Sequence, residues 1–546
     1  MKIFAQRGCQ LFLLKILAVV VILVITMPAS WKMTAGKFDY FLASDRYVPA
    51  AIYLAMVTGG WLGIILTPFL RPWPIRVILT IVLLAGFSID QLFIQLSGTG
   101  LTINMAKTFL QNTVMAGFAI AGYFKEFWSA SYIFILAAVI FCLPVKSPYS
   151  VSGWFSFIPI GAIMAVIGTV HLTRGGAIEF AAPFAVPAKF AVASLFKLYD
   201  GKRQEVDYSV PYNPMTRNVV FIVDESVRAD FLGVNNPRFT NTPYLSANRE
   251  KFANFGTAIA SWNCSKESRL ILRTGMQPDQ LPDNSEIALR QPTIWQYARK
   301  AGYKTVLMDA WSTVGNFHSY MNETEYAQID ERIYLPEIKE PLRDLALVDR
   351  LAEVLASDKP TFTLVNKFGV HFPYYRSYPS TFSPFDTGAT ATPGLNDRVD
   401  LVINSYHNAV QWSLDRFFAD LMKKVSLENT VIIYTSDHGQ SLFQGGYKLT
   451  HCSKGEVQTG EARVPIFVTT GQKELLEKFK DSASASFDKM THFQIFPTLL
   501  GLMGFEKKWV SEKLGSDLLS PPPENRRFMT GDMFSNVRGN KWIEVD

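Results

Sequence analysis

The first third of the chain contains five apolar stretches, and these limit its possible folds more than any other feature. The stretches cover residues 11–27, 50–70, 77–96, 132–145 and 154–172. Most approach the roughly 20 apolar residues that a helix needs to cross a bilayer, although the fourth is short. Because buried helices of a soluble core would not follow one another in such a series, we predict five transmembrane helices. The first lacks a convincing cleavage site and is expected to be an uncleaved anchor.

Basic residues around these stretches predict the orientation of the region. They are Lys2, Arg7, Lys15, Arg71, Arg76 and Lys146. Because cytoplasmic loops are enriched in Lys and Arg, we expect the amino terminus in the cytoplasm, and five spans then place the rest of the chain outside. The outer loop 97–127 contains Asn104 and Gln111, which could contact a lipid headgroup or belong to an ordinary amphipathic helix.

The composition changes after the apolar stretches. Residues 180–198 are apolar, include Lys189, and favour an interfacial helix over a sixth span. Residues 201–213 are polar and end near a proline, as expected of a domain boundary. The predicted organisation is a transmembrane domain over residues 1–175, an interfacial helix and linker over 176–213, and a second domain over 214–546.

Charge and cysteine content exclude two classes of protein. The formal net charge of +6 is modest for 546 residues and does not indicate a nucleic-acid-binding protein. The four cysteines are Cys9, Cys142, Cys264 and Cys452. They are dispersed, two in or beside the apolar region and two in the second domain, so they do not form a disulfide scaffold.

Short apolar runs that end in polar residues recur through the second domain. They cover residues 218–223, 304–308, 361–365, 430–434 and 464–468. Runs of this kind predict strands of a mostly parallel sheet that is buried on both faces, with helices between the strands. Ligand sites in such sheets lie beyond the carboxyl ends of the strands. The predicted fold class is therefore α/β, preceded by a five-helix transmembrane domain.

Acidic and histidine residues follow two of these runs and suggest a metal site. Singly, Glu225 could be a charge at a helix start, and Asp437 with His438 could belong to a turn. Together with a hydroxylate they form a four-ligand set that suits Zn²⁺ or a similar divalent cation, with one or two ions in the site. His371 and His451 could bind a second ion or act as acid and base, although His371 could also be a loop histidine.

The segment after Cys264 supplies candidate hydroxyl groups. A helix that starts near Ser265 would direct free N–H groups at an anion and would bring Ser265, Ser268 and Arg269 to one end. Alone this is weak evidence, because serines are common helix caps. A bound cation would lower the pKa of the serine hydroxyl. The remaining histidines, His171, His318, His407 and His492, are expected to be interfacial or structural.

These motifs resemble those of the membrane phosphoethanolamine transferases that modify lipid A, within the alkaline phosphatase/sulfatase superfamily. The similar segments are residues 223–230, 366–373, 436–441, 451–465 and 491–500. The resemblance covers nearly the whole chain and implies an alkaline phosphatase/sulfatase-like α/β/α sandwich. It also implies Glu225, Asp437 and His438 as metal ligands, and His371 and His451 as histidines on the substrate side.

The nucleophile is assigned by the same resemblance. Residues 265–275 are closer to the sulfatase signature, which selects Ser265 as nucleophile and metal ligand, whereas counting from Cys264 as in the lipid A enzymes selects Ser268. We prefer Ser265, because the later Ser-Arg and Thr-Gly pairs then fall into register. Glu267 replaces the proline of the signature, which argues against formylglycine. Cys264 and Cys452 each adjoin a proposed site residue, and we hypothesise that they pair.

The resemblance implies a two-step transfer with zinc as cofactor. Ser265 would attack phosphatidylethanolamine, release diacylglycerol and pass phosphoethanolamine to lipopolysaccharide or another glycan. Arg269 or Lys266 could bind the phosphate, or either side chain could simply be solvated. We expect a monomer in the bacterial inner membrane, with the catalytic domain in the periplasm. The alternatives are a membrane-tethered sulfatase or phosphatase, a phosphoglycerol transferase, and a non-catalytic assembly factor.

Overall fold

The computed structural model describes residues 2–43, 45–97, 100–101, 103, 106, 109–110, 123–145, 147–172, 183–195, 199–209, 212–283, 285–311, 319–388, 398–444, 449–454, 456–534 and 540–545. They divide into a helical unit within Met1–Lys197 and an α/β unit within Leu198–Phe534, to which residues 540–545 also belong. Each unit is described on its own below.

The helical unit contains the predicted apolar helices. In the described residues they are α1 (Lys2–Ala43), α2 (Tyr47–Leu66), α3 (Trp73–Ser97), α4 (Phe124–Cys142), α5 (Phe157–Leu172) and α6 (Val186–Leu195). The first four are long and apolar enough to cross a membrane, and the fifth apolar segment, Gly153–Thr169, is shorter. The prediction of a membrane-type helical region is confirmed, and α4 begins at Phe124 rather than near residue 132.

Two buried cations close the ends of helices in this unit. Lys15 Nζ is bonded to the carbonyl oxygens of Pro68, Phe141 and Leu143, at 2.7, 2.9 and 2.8 Å. Arg76 Nη1 donates to the carbonyl of Leu70 at 2.7 Å. The last carbonyls of a helix lack partners within the helix, and a cation at that end stabilises them. Both side chains are almost fully buried.

The segment predicted as an interfacial helix belongs to the helical unit. Its helix α6 covers only Val186–Leu195, too short for a sixth span. Lys189, expected at the interface, is 3% exposed and donates to the carbonyl of Leu101 at 2.7 Å. The N–H of Leu101 in turn bonds the buried Asp90 carboxylate at 3.0 Å.

The α/β unit is built on one large sheet. Its strands, with a separate pair at the end of the chain, are β1 (Asn218–Asp224), β2 (Ala253–Ile259), β3 (Lys304–Asp309), β4 (Glu331–Tyr334), β5 (Thr361–Asn366), β6 (Thr430–Ser436), β7 (Arg463–Thr470), β8 (Arg527–Thr530) and β9 (Lys541–Glu544). In the described residues the order of the large sheet is β2-β7-β6-β1-β5-β3-β4. The central strands β6, β1, β5 and β3 pair in parallel. The predicted α/β fold is confirmed.

The sequence analysis missed four strands: β2 and β4 of the large sheet, and the separate pair β8 and β9; one strand of the large sheet also differs in direction. β2 and β4 lie at the two edges of the sheet, and β7 runs antiparallel to both β6 and β2. Asn254, Gly256 and Thr257 interrupt the apolar residues of β2, and β4 has only one buried residue, so neither sequence contains a continuous apolar run. The strands β1, β6 and β7 are buried along almost their whole length, which explains why their apolar runs could be recognised as strands in the sequence.

Helices lie between the strands, as predicted. They are α7 (Pro243–Ala247), α8 (Ser265–Thr274), α9 (Ile287–Arg290), α10 (Ile294–Lys300), α11 (Glu323–Tyr326), α12 (Glu340–Leu355), α13 (Val399–Val410), α14 (Arg416–Lys424), α15 (Lys473–Ala485), α16 (Ile495–Leu502) and α17 (Lys507–Leu514). A single π-helical turn, Gln411–Asp415, joins α13 to α14.

The predicted linker is partly corrected, because its end packs within the α/β unit. Arg203 is buried and its Nη2 lies 3.0 Å from the Glu325 carboxylate, which also binds Arg273 of α8 at 2.8 Å. Tyr208 is buried as well, and its ring packs on Phe505 with centroids 4.7 Å apart. These residues precede residue 214, the predicted start of the second domain.

Candidate active site

Two neighbouring strand ends bring three ionisable side chains together. β1 and β6 pair in parallel with Asp224 opposite Ser436, so Glu225 and Asp437 follow at the same edge of the sheet. Each of Glu225, Asp437 and His438 offers a ligand atom within 4.8 Å of the others, and all three are buried. The structure therefore places the three predicted metal ligands in one group.

The backbone after β1 supports this group. Ser226 has a φ of 64°, a left-handed conformation that a non-glycine residue adopts only when its surroundings hold it. Its N–H donates to Asp437 Oδ1 at 3.1 Å and its hydroxyl donates to Glu225 Oε1 at 2.7 Å. The strained residue thus ties the two carboxylates to each other.

Ser265 is the first residue of α8 and reaches the same group. Its Oγ lies 2.9 Å from His438 Nε2, and 3.4 and 3.5 Å from the two Glu225 carboxylate oxygens. The Nδ1 of His438 lies 2.7 Å from the carbonyl of Gly439, which can only accept, so Nδ1 carries a proton and Nε2 is the nitrogen that faces the Ser265 hydroxyl and the Glu225 carboxylate. The helix start adds unpaired N–H groups beside Ser265.

Ser268, the alternative nucleophile, is excluded by its position. It is fully buried, and its hydroxyl donates to the backbone carbonyl of Asp437 at 2.5 Å. His492 Nδ1 lies 3.2 Å from the same hydroxyl, which explains the buried position of that histidine. Ser268 therefore fixes the strand end that carries Asp437 instead of facing a ligand.

Arg269, predicted to bind substrate, contacts the two carboxylates of the group. Its Nε lies 2.9 Å from Asp437 Oδ2 and its Nη2 lies 3.0 Å from Glu225 Oε2, in a buried setting. The guanidinium thus orients the two carboxylates of the group. The Lys266 side chain lies over the Tyr320 ring, with its Nζ 5.9 Å from the ring centre.

His371 and His451 lie against the group, as predicted. The His451 ring stacks on the His438 ring with centroids 4.4 Å apart, and His371 meets His451 edge-on at 5.5 Å. Burial lowers the pKa of His371, and burial together with the neighbouring imidazoles holds the pKa of His451 well below its usual value. Both rings are therefore neutral at pH 7 and able to accept a proton.

The electrostatics of the group favour a cation. Burial would raise the pKa of Glu225, but the hydrogen bond with His438 and the Arg269 charge outweigh it and hold that pKa well below its usual value. Burial and the Glu225 charge raise the pKa of Asp437 to about 6. Burial would lower the pKa of His438, but Asp437 and Glu225 raise it to about 9. An ionised Glu225, together with Asp437 and His438, whose pKa values are raised, gives a negatively charged group of oxygen and imidazole donors that fits a divalent cation.

The two cysteines of the α/β unit form a disulfide. Cys264 precedes Ser265, Cys452 follows His451, and their Cα atoms are 4.7 Å apart. The hypothesis that they pair is confirmed, and Cys9 and Cys142 are free. Asn104, Gln111 and His318 lie outside the described residues. His407 is a buried structural histidine whose Nδ1 lies 2.8 Å from Asn241 Nδ2.

Sequence reasoning missed a buried ion pair directly behind Glu225. Lys367 binds the Asp224 carboxylate, and neither side chain is exposed. Lys367 also donates to the Ser413 carbonyl at 2.6 Å, within the π-helical turn. The register of β1 and β5 pairs Val223 with Asn366, so the next residues on both strands are these two. The available signal in the sequence was Lys367 itself, two residues after the apolar run 361–365.

The α/β unit has its candidate site at the carboxyl edge of a mostly parallel sheet. The sulfatase family profile matches residues 217–505, which is more than half of the chain. The chain belongs to the sulfatase family.

Relatives by sequence are transferases. The Kdo(2)-lipid A phosphoethanolamine 7''-transferase of Escherichia coli (strain K12) is 24% identical over 317 residues, which make up 55% of this chain and 53% of that protein. The chain thus spans about half the length of the first relatives it matches by sequence.

Two solved structures share the fold. The integral membrane protein lipooligosaccharide phosphoethanolamine transferase A (EptA) from Neisseria meningitidis has a TM-score of 0.65 and 18% identity, and the match covers 93% of this chain and 99% of that one. The C-terminal periplasmic domain of EcEptC from Escherichia coli, in complex with Zn, has a TM-score of 0.50 and 20% identity, and the match covers 60% and 92%. At these identities the likeness shows the fold.

Proposed function

We propose that this chain transfers phosphoethanolamine from phosphatidylethanolamine to an envelope glycolipid, with lipid A or the lipopolysaccharide core as acceptor. The observation that carries the proposal is the position of Ser265 Oγ, 2.9 Å from His438 Nε2 and 3.4 Å from Glu225. A serine in such a group can act as a nucleophile. The relative named as a Kdo(2)-lipid A phosphoethanolamine 7''-transferase supports this donor group and this class of acceptor.

Glu225, Asp437, His438 and Ser265 are the residues that would hold Zn²⁺. Their oxygen and imidazole donors are a set that zinc binds in proteins, and the EcEptC domain with the same fold was solved with Zn. A divalent cation there supplies two effects, a lower pKa for the serine hydroxyl and charge neutralisation at the phosphoryl oxygens.

In the first step Ser265 attacks the phosphorus of the donor. The bond between Oγ and phosphorus forms, the bond between phosphorus and the diacylglycerol oxygen breaks, and phosphoethanolamine remains on the serine. The proton that Ser265 loses ends on the diacylglycerol oxygen. His371 and His451 are neutral, lie beside the group and are the candidates to carry that proton.

In the second step a hydroxyl or phosphate of the acceptor attacks the same phosphorus. The acceptor gives its proton to an imidazole, phosphoethanolamine leaves Ser265, and the serine recovers a proton. Arg269 keeps Glu225 and Asp437 in place through both steps, because it bonds both carboxylates.

The experiment uses the full chain in vesicles of phosphatidylethanolamine labelled in the ethanolamine, with lipopolysaccharide as acceptor. We expect label to move to the acceptor with release of diacylglycerol, and Ser265→Ala to reduce this by about 10³-fold or more. Ser268→Ala is the comparison variant, and it should lose less activity than Ser265→Ala, because the Ser268 hydroxyl donates to the backbone carbonyl of Asp437 at this strand end. An active Ser265→Ala variant would refute the assignment. Label released as free phosphoethanolamine in the presence of acceptor would instead indicate a hydrolase, and transfer only from labelled phosphatidylglycerol would indicate a phosphoglycerol transferase.

We further propose that the α/β unit lies in the periplasm and that the helical unit crosses the inner membrane. The apolar helices of the amino-terminal unit and the fold shared with the periplasmic domain of EcEptC support this location. A cysteine introduced at the exposed Ser511 should react with a membrane-impermeant maleimide in intact spheroplasts. Labelling only after lysis would contradict the orientation.

A further inference from the structure

The disulfide joins the two segments that carry Ser265 and His451. Cys264 directly precedes Ser265, and Cys452 directly follows His451, although they are 188 residues apart in the sequence. The His451 ring lies on the His438 ring, and His438 Nε2 touches the Ser265 hydroxyl. The cross-link therefore closes a ring of contacts that runs from Ser265 through His438 and His451 back to Cys264.

Hydrogen bonds already hold the backbone behind this cross-link. Cys452 N–H donates to the Asn263 carbonyl at 2.8 Å, and Asn263 Nδ2 donates to the Ser453 carbonyl at 2.9 Å. The buried Glu461 carboxylate accepts from both Asn263 Nδ2 and Ser453 N–H, at 2.8 and 3.1 Å. The Cys452 N–H belongs to the peptide unit that joins His451 to Cys452, and the other bonds lie beyond Cys452 in the chain. They keep the two segments adjacent, and none of them ends on the His451 imidazole, whose Nδ1 lies 3.0 Å from Thr450 Oγ1.

The conformation of Cys452 links the disulfide to His451. Cys452 has a φ of 60°, a left-handed conformation that costs free energy for any residue with a Cβ and persists only when its surroundings hold it. The hydrogen bonds of the Cys452 and Ser453 N–H groups restrain this backbone in part, and the disulfide adds a covalent restraint at the Cys452 side chain. Because His451 is the preceding residue, loss of that restraint would loosen the stacking of its ring on His438.

We propose that the Cys264–Cys452 disulfide is a positioning device that holds His451 over the reacting group beside Ser265. This inference rests on the proposed function, because it concerns the imidazole that carries protons during the transfer. Cys264 and Cys452 act through His451 and touch no substrate. Formation of the disulfide removes two electrons and two protons from the two thiols, so the site is complete only after an oxidant of the thiol–disulfide exchange class has acted.

A double-mutant cycle tests the coupling. In the full chain, Cys264→Ala with Cys452→Ala should lower kcat about 10–100-fold, because a displacement of about 1 Å at a reacting group has such an effect. KM and zinc content should stay within about twofold of the wild type, since Glu225, Asp437 and His438 are untouched. His451→Asn alone should lower kcat about 100-fold, and adding it to the cysteine variant should cost less than about threefold more. Multiplicative losses would overturn the proposal, because the disulfide would then act on something other than His451.

Reduction of the folded wild type avoids variants that fail to fold. A water-soluble phosphine reduces the disulfide to two thiols and is itself oxidised to the phosphine oxide, whose oxygen atom comes from water. The kcat should fall by the same factor and return on reoxidation. Cys9→Ala with Cys142→Ala should respond like the wild type, because those thiols are free. Unchanged activity after complete reduction, verified by mass spectrometry of the alkylated thiols, would overturn the proposal.

Failure of the two proposals can be told apart. If the wild type moves no label from phosphatidylethanolamine, the proposed function fails. The disulfide is then still tested by hydrolysis of bis(p-nitrophenyl) phosphate with the same set of variants. An equal loss of that activity on reduction and in the double cysteine variant would support the positioning role, and no loss would overturn it.

Discussion

Two buried cations of the helical unit and two of the α/β unit are stabilised in different ways. In the helical unit Lys15 and Arg76 are bonded to backbone carbonyls. In the α/β unit Arg269 and Lys367 are bonded to buried carboxylates. A carbonyl is a dipole and a carboxylate is a charge, so the loss of a cation leaves very different environments behind.

This difference separates support of the fold from support of the chemistry. The carbonyls bound by Lys15 lie at helix ends, so this lysine supplies hydrogen bonds to helix termini. The carboxylates bound by Arg269 are those of Glu225 and Asp437, which face Ser265. A cation in the helical unit should therefore affect stability alone, while one in the α/β unit should affect the site as well.

The largest effect is expected for Lys367→Met. It leaves the Asp224 carboxylate buried and without its counter-ion, directly behind Glu225, which should lower the free energy of unfolding by about 3–5 kcal/mol. Thermal unfolding of the full chain in detergent measures it. Lys424→Met is the matched control, because Lys424 pairs with Asp349 at an exposed position and should cost less than about 1 kcal/mol. Equal losses for the two variants would remove the distinction between buried and exposed pairs.

Arg269→Lys is expected to come second, and its effect should be on function. Lysine keeps the charge but cannot bond Asp437 and Glu225 at once, so the carboxylates lose their orientation. We expect zinc affinity or turnover to fall about 10–100-fold. Isothermal titration with zinc and the labelled-lipid assay measure these quantities.

The control for Arg269 lies on the same helix. Arg273 bonds the buried Glu325, away from Ser265, so Arg273→Lys should lower stability and leave zinc affinity unchanged. A loss of zinc affinity in Arg273→Lys equal to that in Arg269→Lys would show that general damage to α8, and not the orientation of the carboxylates, causes the effect.

Lys15→Met is expected to have a smaller effect, confined to stability. It removes the donor of three hydrogen bonds but leaves no buried charge, so we expect a loss of about 1–2 kcal/mol in the bilayer-like environment. Turnover per folded molecule should not change. Lys32→Met, at an exposed position of the same helix, is the control and should leave the melting temperature unchanged. A large loss of turnover in Lys15→Met would break the comparison.

The strand ends explain how much of the site could be predicted. Parallel neighbours end at one edge, so Glu225 and Asp437 with His438 had to be close once β1 and β6 were recognised as buried runs. The position of Ser265 was harder to predict, because its distance to the group depends on how α8 packs. The resemblance to a family was the only ground for choosing Ser265 over Ser268, and the sequence contains no local signal for that choice.

The partners of buried cations are the part that the sequence could not provide. Arg269 reads as an exposed phosphate-binding residue next to a serine, yet its neighbours are two carboxylates brought in by β1 and β6. Lys15 interrupts an apolar run, and no periodicity indicates that it meets the ends of distant helices. These contacts are long-range, and residue types alone do not encode them.

The smallest expected effect is on the pH dependence of unfolding of the α/β unit. Burial lowers the pKa of His407, in the α/β unit, to about 4. An unfolded histidine has a pKa of about 6.5, so between these values the unfolded state binds the extra proton and stability falls as the pH falls. From pH 7 to pH 6 this amounts to about 0.5–1 kcal/mol. His407→Gln keeps an acceptor for Asn241 and does not titrate. From pH 7 to pH 6 the free energy of unfolding of this variant should therefore fall by about 0.5–1 kcal/mol less than that of the wild type. Equal pH dependence of unfolding in both proteins would show that His407 is not protonated on unfolding, and that the acid sensitivity of the α/β unit lies in other groups.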